Sequence, residues 1–234
     1  MVPIREGGQY LERVLAIVAA ILINRHEMDR TSLLDEYAHL VAGWPGLMGQ
    51  GQREHARRLV DDSLALLPHL DHAQSLLDVG TGGGMPGIPL AIARPDLQVT
   101  LLEADHRKAA FCTHAAAVLR LDLAVVAERA EDAAHGPFRE NFDAVTARAL
   151  APFPELLELC LPFVRPGGRL LAMRTHSEPL EGAWERLGGS EPEVLAAPTG
   201  ARDRGVVVVV RKVDRTPIDL PRRPGEPHRH PLLN

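Results

Sequence analysis

One acid and five glycines crowd a short stretch of this chain. In the run LLDVGTGGGMPGIPLAIA, Leu76 to Ala93, an apolar segment closes on Asp78. Glycines follow at 80, 82, 83, 84 and 87, and then an apolar, alanine-containing segment begins. Such a pattern spells a buried strand, a turn made almost entirely of backbone, and the start of a helix. Glycine suits the turn because it accepts positive φ and lets a ligand approach the main chain without a Cβ in the way. A nucleoside-containing cofactor at the carboxyl edge of a parallel sheet is the chemistry this arrangement would serve.

Two cofactors compete for the loop. Asp78-x-Gly80-x-Gly82-x-Gly84 is the acid-plus-three-glycine pattern of S-adenosylmethionine (AdoMet) binding, and Asp78 at the strand end could meet the ammonium group. The letters Gly82-x-Gly84-x-x-Gly87 also satisfy a dinucleotide fingerprint, with Glu103 at about the right distance for a ribose hydroxyl. That second frame puts Pro86 where the amides of a phosphate-binding helix are wanted, and proline has no N–H. AdoMet has no pyrophosphate, so the proline favours it. A dinucleotide-dependent oxidoreductase remains the competing reading.

Further chemistry falls at strand ends. Glu103, closing the second strand, would lie across the crevice from the glycines and take both ribose hydroxyls. Arg129-Ala130-Glu131 follows the third strand and Arg148 ends the fourth, where an arginine fork could hold a carboxylate or a phosphate. A plain ion pair of Arg148 with Glu131 or Asp143 is the structural alternative. Arg174, after the fifth strand, could hold a phosphate or a base edge, which makes Arg148 and Arg174 the expected catalytic pair. Asp143 reads as structural.

These residues need a scaffold, and the chain supplies one. Helical periodicity runs over about 10–42, with Val14 to Ile23 as a buried face, and again over 53–67. After the glycine loop, strands (99–102, 123–127, 142–146, 170–173 and the five-valine run within 205–213) alternate with helices (105–119, 153–161). This order specifies a doubly wound, mostly parallel α/β sheet. We expect an N-terminal helical extension over 1–70, a cofactor-binding domain over 71–215 and a tail over 216–234.

Composition narrows the class. A hydrophobic fraction of 45% in 234 residues is enough for one packed α/β domain, and no apolar run approaches the ~20 residues of a membrane span. Cys112 and Cys160 lack metal or disulfide spacing and read as reduced thiols of a cytoplasmic protein. Eleven scattered histidines give no ligand pair, so no metal site is expected. The net charge of −5 hides an asymmetry, because Arg202 to His230 holds eight Lys/Arg against four acids. A basic tail on an acidic body is a place to hold a polyanion, and its Pro/Arg/His composition resists packing.

At this point a resemblance becomes specific. Asp62-Ser63-Leu64-Ala65-Leu66-Leu67-Pro68, DVGTGGGMPGIPLAI, VTLLEADHRKAAF, ERAED, FDAVTARALA, the Pro166-Gly167-Gly168 turn and TPIDLPRRPGEPHRHPL resemble, in order, the ribosomal small-subunit RNA methyltransferase G family (RsmG, also called GidB). The resemblance implies a Rossmann-like class I AdoMet-dependent methyltransferase that methylates N7 of a guanine in the 530 loop of 16S rRNA. It implies AdoMet contacts from Gly80, Met85, Ala130, Glu131 and Arg148, and a ribose contact from Glu103; the loop pattern adds Asp78, Gly82 and Gly84. Arg222, Arg223 and Arg229 would grip RNA, whether 16S rRNA or a small-subunit precursor, and Trp44 could stack a base or pack a helix. The chain differs from the family pattern in a shorter 44–62 segment, in Arg58-Leu59 for Arg-His, and in Arg174-Thr175 for Lys-Gly. An AdoMet methyltransferase of a small molecule or protein is the alternative that would not need the basic tail. The sequence leaves the oligomeric state open.

Overall fold

The computed structural model describes residues 25–47, 53–176 and 180–233, with the side chains of 25–29 and 53 left aside. The helix expected over 10–24, including the Val14–Ile23 face, lies outside the described residues. Seven strands form one sheet in the order β3-β2-β1-β4-β5-β7-β6. They are β1 (Ser75–Val79), β2 (Gln98–Leu102), β3 (Leu123–Val126), β4 (Phe142–Arg148), β5 (Val164–Arg174), β6 (Glu193–Ala196) and β7 (Val206–Arg211). β1 to β5 run parallel, while β7 pairs antiparallel with both β5 and β6. The chain order reverses between β1 and β4, and a crevice at the strands' carboxyl ends is expected there.

Alternation along each strand builds a core on both faces. Leu76 packs on one face with Tyr37, Leu66, Ile88 and Phe111, while Leu77 packs on the other with Phe142, Phe153 and Phe163. The valines of β7 divide the same way, Val207 and Val209 to the first face and Val206, Val208 and Val210 to the second. A strand buried on both sides reads as an unbroken apolar run, so the pattern marked a central strand but could not show its direction. β6, only four residues between two prolines, carried no visible signal. β5 starts at Val164, ahead of the glycine turn expected to precede it, and the β4–β5 register shifts between Phe142 and Ala144.

Helices cover both faces: α1 (Arg25–Gly43), α2 (Arg53–Ser63, continued by a 3-10 turn over Leu64–His69), α3 (Gly87–Ala93), α4 (His106–Val118), α5 (Ala130–Ala133), α6 (Phe153–Cys160) and α7 (Glu226–Arg229). Asp105 caps α4 by accepting from the amides of Arg107 and Lys108. Trp44 packs edge-on against Phe111 at 5.2 Å and beside His114 at 5.3 Å, which makes it a packing residue.

The basic tail does not stay loose as its composition suggested. Thr216, Leu220, Pro221 and Pro227 are buried. Arg139 Nη1 donates to the carbonyl of Leu220, its Nη2 donates to those of Thr216 and Pro217, and His135 Nε2 lies 2.8 Å from the Pro221 carbonyl. Its backbone carbonyls, held by Arg139 and His135, add to the burial of Leu220 in the core, a mode that composition cannot reveal.

Candidate active site

The glycine loop is braced from below by two carboxylates. Asp78, fully buried at the end of β1, accepts from the Gly87 amide at 2.9 Å, from Thr81 Oγ1 at 2.5 Å and from Thr146 Oγ1 at 2.9 Å. Burial raises its carboxyl to about 6, against the pull of those three donors. The expectation that Asp78 meets an ammonium group therefore does not match its position: its oxygens face the underside of the loop. Above it Gly84 adopts φ +89°, where an added Cβ would lie 2.5 Å from Ile88 and 3.0 Å from the Tyr37 hydroxyl. A Cβ on Gly87 would lie 2.2 Å from Leu101, so α3 can press onto β1 and β2 only with glycine there. Tyr37 on α1 donates its hydroxyl to the Gly83 carbonyl, tying the helical segment to the loop.

These bonds decide between the cofactors. Pro86 has no N–H and the Gly87 N–H is engaged by Asp78, so the start of α3 offers no amide nest to a pyrophosphate.

Glu103, at the end of β2, is the second brace. Its carboxylate accepts from the Gly82 amide at 2.7 Å and from the Asp105 amide at 2.9 Å. A carboxylate has about four acceptor sites, so capacity remains for the two hydroxyls of a ribose. Beside it lies a cavity of about 210 Å³ lined by Gly80, Glu103, Ala130, Glu131 and Leu150 among others. Glu131 is buried, and its Oε1 accepts from Arg129 Nη2 at 2.8 Å and from the Gly225 amide at 3.0 Å. Burial pushes that carboxyl up, but these donors hold it below the usual range. Gly80, Glu103, Ala130 and Glu131 are thus brought together as expected. Gly82 and Gly84 shape the loop without lining this cavity.

A second cavity, about 420 Å³, opens at the ends of β4 and β5 between α2 and the β6–β7 turn. Arg148 and Arg174 line it, together with Asp62 and Arg202. Arg148 Nη1 donates to the Leu59 carbonyl at 3.3 Å and lies 3.8 Å from Asp62, and its Nη2 reaches Met85 Sδ at 3.4 Å. Its ion-pair partner is therefore Asp62, neither Glu131 nor Asp143. Met85 takes part through this contact, bridging the glycine loop to the arginine. Arg174 sits 5.9 Å from the Phe153 ring centroid. Burial lowers the pKa of both Arg148 and Arg174, a sign of desolvated charge. The segment Ala149-Leu150-Ala151 separates the cavities, with Leu150 facing the smaller and both alanines the larger. Ala149 holds φ +51° to make that turn.

Sequence reasoning missed Asp62 and Arg202 as a pair. Asp62 accepts from Arg202 Nε at 2.8 Å and from Thr199 Oγ1 at 2.5 Å, across separations of 140 and 137 positions. The Asp62-Ser63 run was visible, but no local pattern names a partner so distant. Two of the expected RNA contacts have ion-pair partners within the fold. Arg222 forks onto the fully buried Glu158, with Nε at 2.9 Å and Nη2 at 2.6 Å, and Arg229 Nη2 pairs with Glu226 at 2.7 Å. Arg222 ties the tail to α6, while Arg229 stays exposed. Arg223 is exposed with no ion pair among the described residues. Asp143 lies at the opposite edge, accepting from the Gln74 and Ser75 amides. Among the described residues no cluster of three His, Cys, Asp or Glu is arranged to hold a metal, and no helix is long and apolar enough to cross a membrane.

Five parallel strands with a reversed closing hairpin, a braced glycine loop and a ribose-ready acid on β2 define a class I AdoMet-dependent methyltransferase. Solved structures of that class share the fold. An apo methyltransferase, SibL, superposes with a TM-score of 0.56 at 19% identity, covering 88% of this chain and 76% of its own. The O-methyltransferase TomG from Streptomyces achromogenes, solved with AdoMet, gives 0.53 at 21% identity over 78% of this chain and 90% of its own. The chain belongs to the rRNA small subunit methyltransferase G family, whose model matches residues 30–186. Proteins named ribosomal RNA small subunit methyltransferase G are 39% identical over 233 residues in Sorangium cellulosum (96% of this chain, 82% of that protein) and 43% identical over 194 residues in Pelotomaculum thermopropionicum (78% and 80%).

Proposed function

We propose that this enzyme methylates N7 of a guanine in the 530 loop of 16S rRNA, acting in the cytoplasm on the free RNA or on a small-subunit precursor. One observation carries the reading: a cavity walled by arginines adjoins the cofactor cavity across the thin Ala149-Leu150-Ala151 partition. When bound, AdoMet supplies an electrophilic methyl group. Gly80, Glu103, Ala130 and Glu131 would hold its adenosine, and Arg148 and Met85 would hold its methionine end. Asp78, Gly82 and Gly84 act by shaping the loop.

Guanine N7 carries a free lone pair, so its attack needs no proton removed. The larger cavity is compatible with that chemistry, its carboxylate, Asp62, being engaged by Arg202 and Thr199. The protein's contribution is then alignment of the nucleophile at near-attack distance. A guanine displayed in a loop, with its edge free, fits such a site better than one stacked in a helix.

The test is chemical mapping of 16S rRNA from a strain lacking the gene. Loss of one N7 mark in the 530 loop, restored by the purified enzyme and AdoMet, is expected. An intact mark would defeat the substrate assignment and leave the fold untouched.

A further inference from the structure

The carboxyl-terminal segment meets three glutamates at a regular interval. Arg222 forks onto Glu158, the Gly225 amide donates to Glu131 at 3.0 Å, and His228 Nδ1 lies 3.1 Å from Glu155 Oε2. Contacts therefore recur at every third residue over 222–228. Glu155 and Glu158 stand three positions apart on α6 and so share a face of that helix, while Glu131 comes from α5. Arg222 is the anchor: its backbone amide as well as its guanidinium donates to the fully buried Glu158.

Two of these three acids also belong to the cofactor cavity. Glu131 and Glu155 line it beside Gly80 and Glu103, and Glu131 also lines a cleft of about 390 Å³ between α5 and the tail. Glu131 is thus a wall with the cofactor on one side and the tail on the other. Each carboxylate turns one oxygen to the tail, Glu131 its Oε1 to the Gly225 amide and Glu155 its Oε2 to His228. About four acceptor sites per carboxylate leave capacity for a ligand's donors, and adenosine brings two ribose hydroxyls and an exocyclic amine. Fixing the carboxylates beforehand removes a freedom that the ligand would otherwise have to suppress on binding. The turn that aims the Gly225 amide has φ +83°, and an added Cβ would meet nothing nearer than 3.9 Å, so backbone conformation rather than space favours glycine there.

We infer that Gly225 and His228 are positioning residues of the cofactor site, holding Glu131 and Glu155 in the orientation that receives adenosine, so that docking of the tail sets the affinity for AdoMet. The inference rests on the assignment of the smaller cavity to adenosine made above. A segment whose charge suggested a grip on RNA acts here as the outer support of the cofactor wall.

Calorimetric titration of S-adenosylhomocysteine into the full-length protein tests it, with Gly225→Ala, His228→Ala, His228→Asn and Glu131→Gln beside the wild type. Gly225→Ala strains a turn that has room for the methyl group, and the His228 side chain is 75% exposed, so neither substitution disturbs the core. Each of Gly225→Ala and His228→Ala should bind about 5-fold more weakly, the scale of one net hydrogen bond. His228→Asn, whose amide nitrogen can stand where Nδ1 stands, should recover most of that loss, which a general loosening of the fold would not allow. Glu131→Gln should lose about 10-fold. Unchanged affinity in the folded tail variants, with Glu131→Gln weakened, would overturn the proposal and leave the adenosine assignment standing. An equal loss in His228→Asn and His228→Ala would overturn the role of His228. Wild-type affinity in Glu131→Gln would remove the adenosine assignment of Glu131, and the role of Gly225 with it. If one tail variant fails to fold, the other decides the matter.

Discussion

The two cavities at the sheet edge are built on opposite principles. On the cofactor side, backbone amides converge on buried acids: Gly87 on Asp78, Gly82 and Asp105 on Glu103, Gly225 on Glu131. On the side of the larger cavity, the side chains of Arg148 and Arg202 converge on one acid, Asp62. The first design yields a stiff loop whose charges are satisfied within the fold.

Removing the shared acid should break the comparison most severely. Asp62→Ala leaves the buried Arg202 and the half-buried Arg148 without their counter-charge, and breaking a buried pair costs about 3–5 kcal/mol. Urea unfolding should show that loss, and a change below about 1 kcal/mol would mean the arginines find other partners. Arg148→Ala comes next. It removes charge-assisted contacts to Asp62 and Met85, and we expect kcat/KM to fall about 100-fold, equivalent to ~2.7 kcal/mol, with a smaller shift in unfolding. Equal turnover in the variant would remove Arg148 from the site.

The cofactor side should respond to pH. Asp78 titrates at about 6 in the fold against 3.8 when free. Protonation below about pH 6 weakens its hold on the Gly87 amide and the loop, so AdoMet affinity should drop about 10-fold between about pH 7 and pH 5. Asp78→Asn should bind weakly at both pH values, and calorimetric titration across this range checks both. Stability runs the other way. A pKa raised on folding contributes stability that is present below about pH 4 and lost as pH rises through about 6, so the charged form that tightens the loop also strains the fold.

The smallest effect concerns the wall between the cavities. Ala149 sits at φ +51°, a left-handed conformation costing a non-glycine residue about 1–2 kcal/mol. Ala149→Gly should raise stability by about 1 kcal/mol while lowering kcat, because a freer turn positions Arg148 and Leu150 less firmly. A stabilised variant with full kcat would show that the wall needs no stiffness.

The same contrast explains what the sequence made legible. Asp78, the glycines and Glu103 lie within 26 residues, and their roles follow from local rules about turns and strand ends. Even there the fine geometry escaped, because whether Asp78 faces a ligand or the loop depends on Thr146, a strand away. Asp62 and Arg202 touch across 140 positions, and Arg222 looked like an exposed cation because nothing near it in the chain announced Glu158, 64 positions away. Charge counting placed the polyanion grip in the tail. Pairing within the fold draws Arg222 inward and leaves Arg223 exposed.

The tail's contact with Glu131 has a kinetic consequence. The bond from the Gly225 amide spans 94 positions, and those from Arg202 to Asp62 span 140. Contacts of such separation carry a large loop-closure entropy and form after local ones. A folding chain would therefore own its glycine loop early, while both ligand walls close last. Intermediates with a complete sheet would be catalytically silent, and recovery of activity would report the final docking of distant segments rather than formation of the sheet.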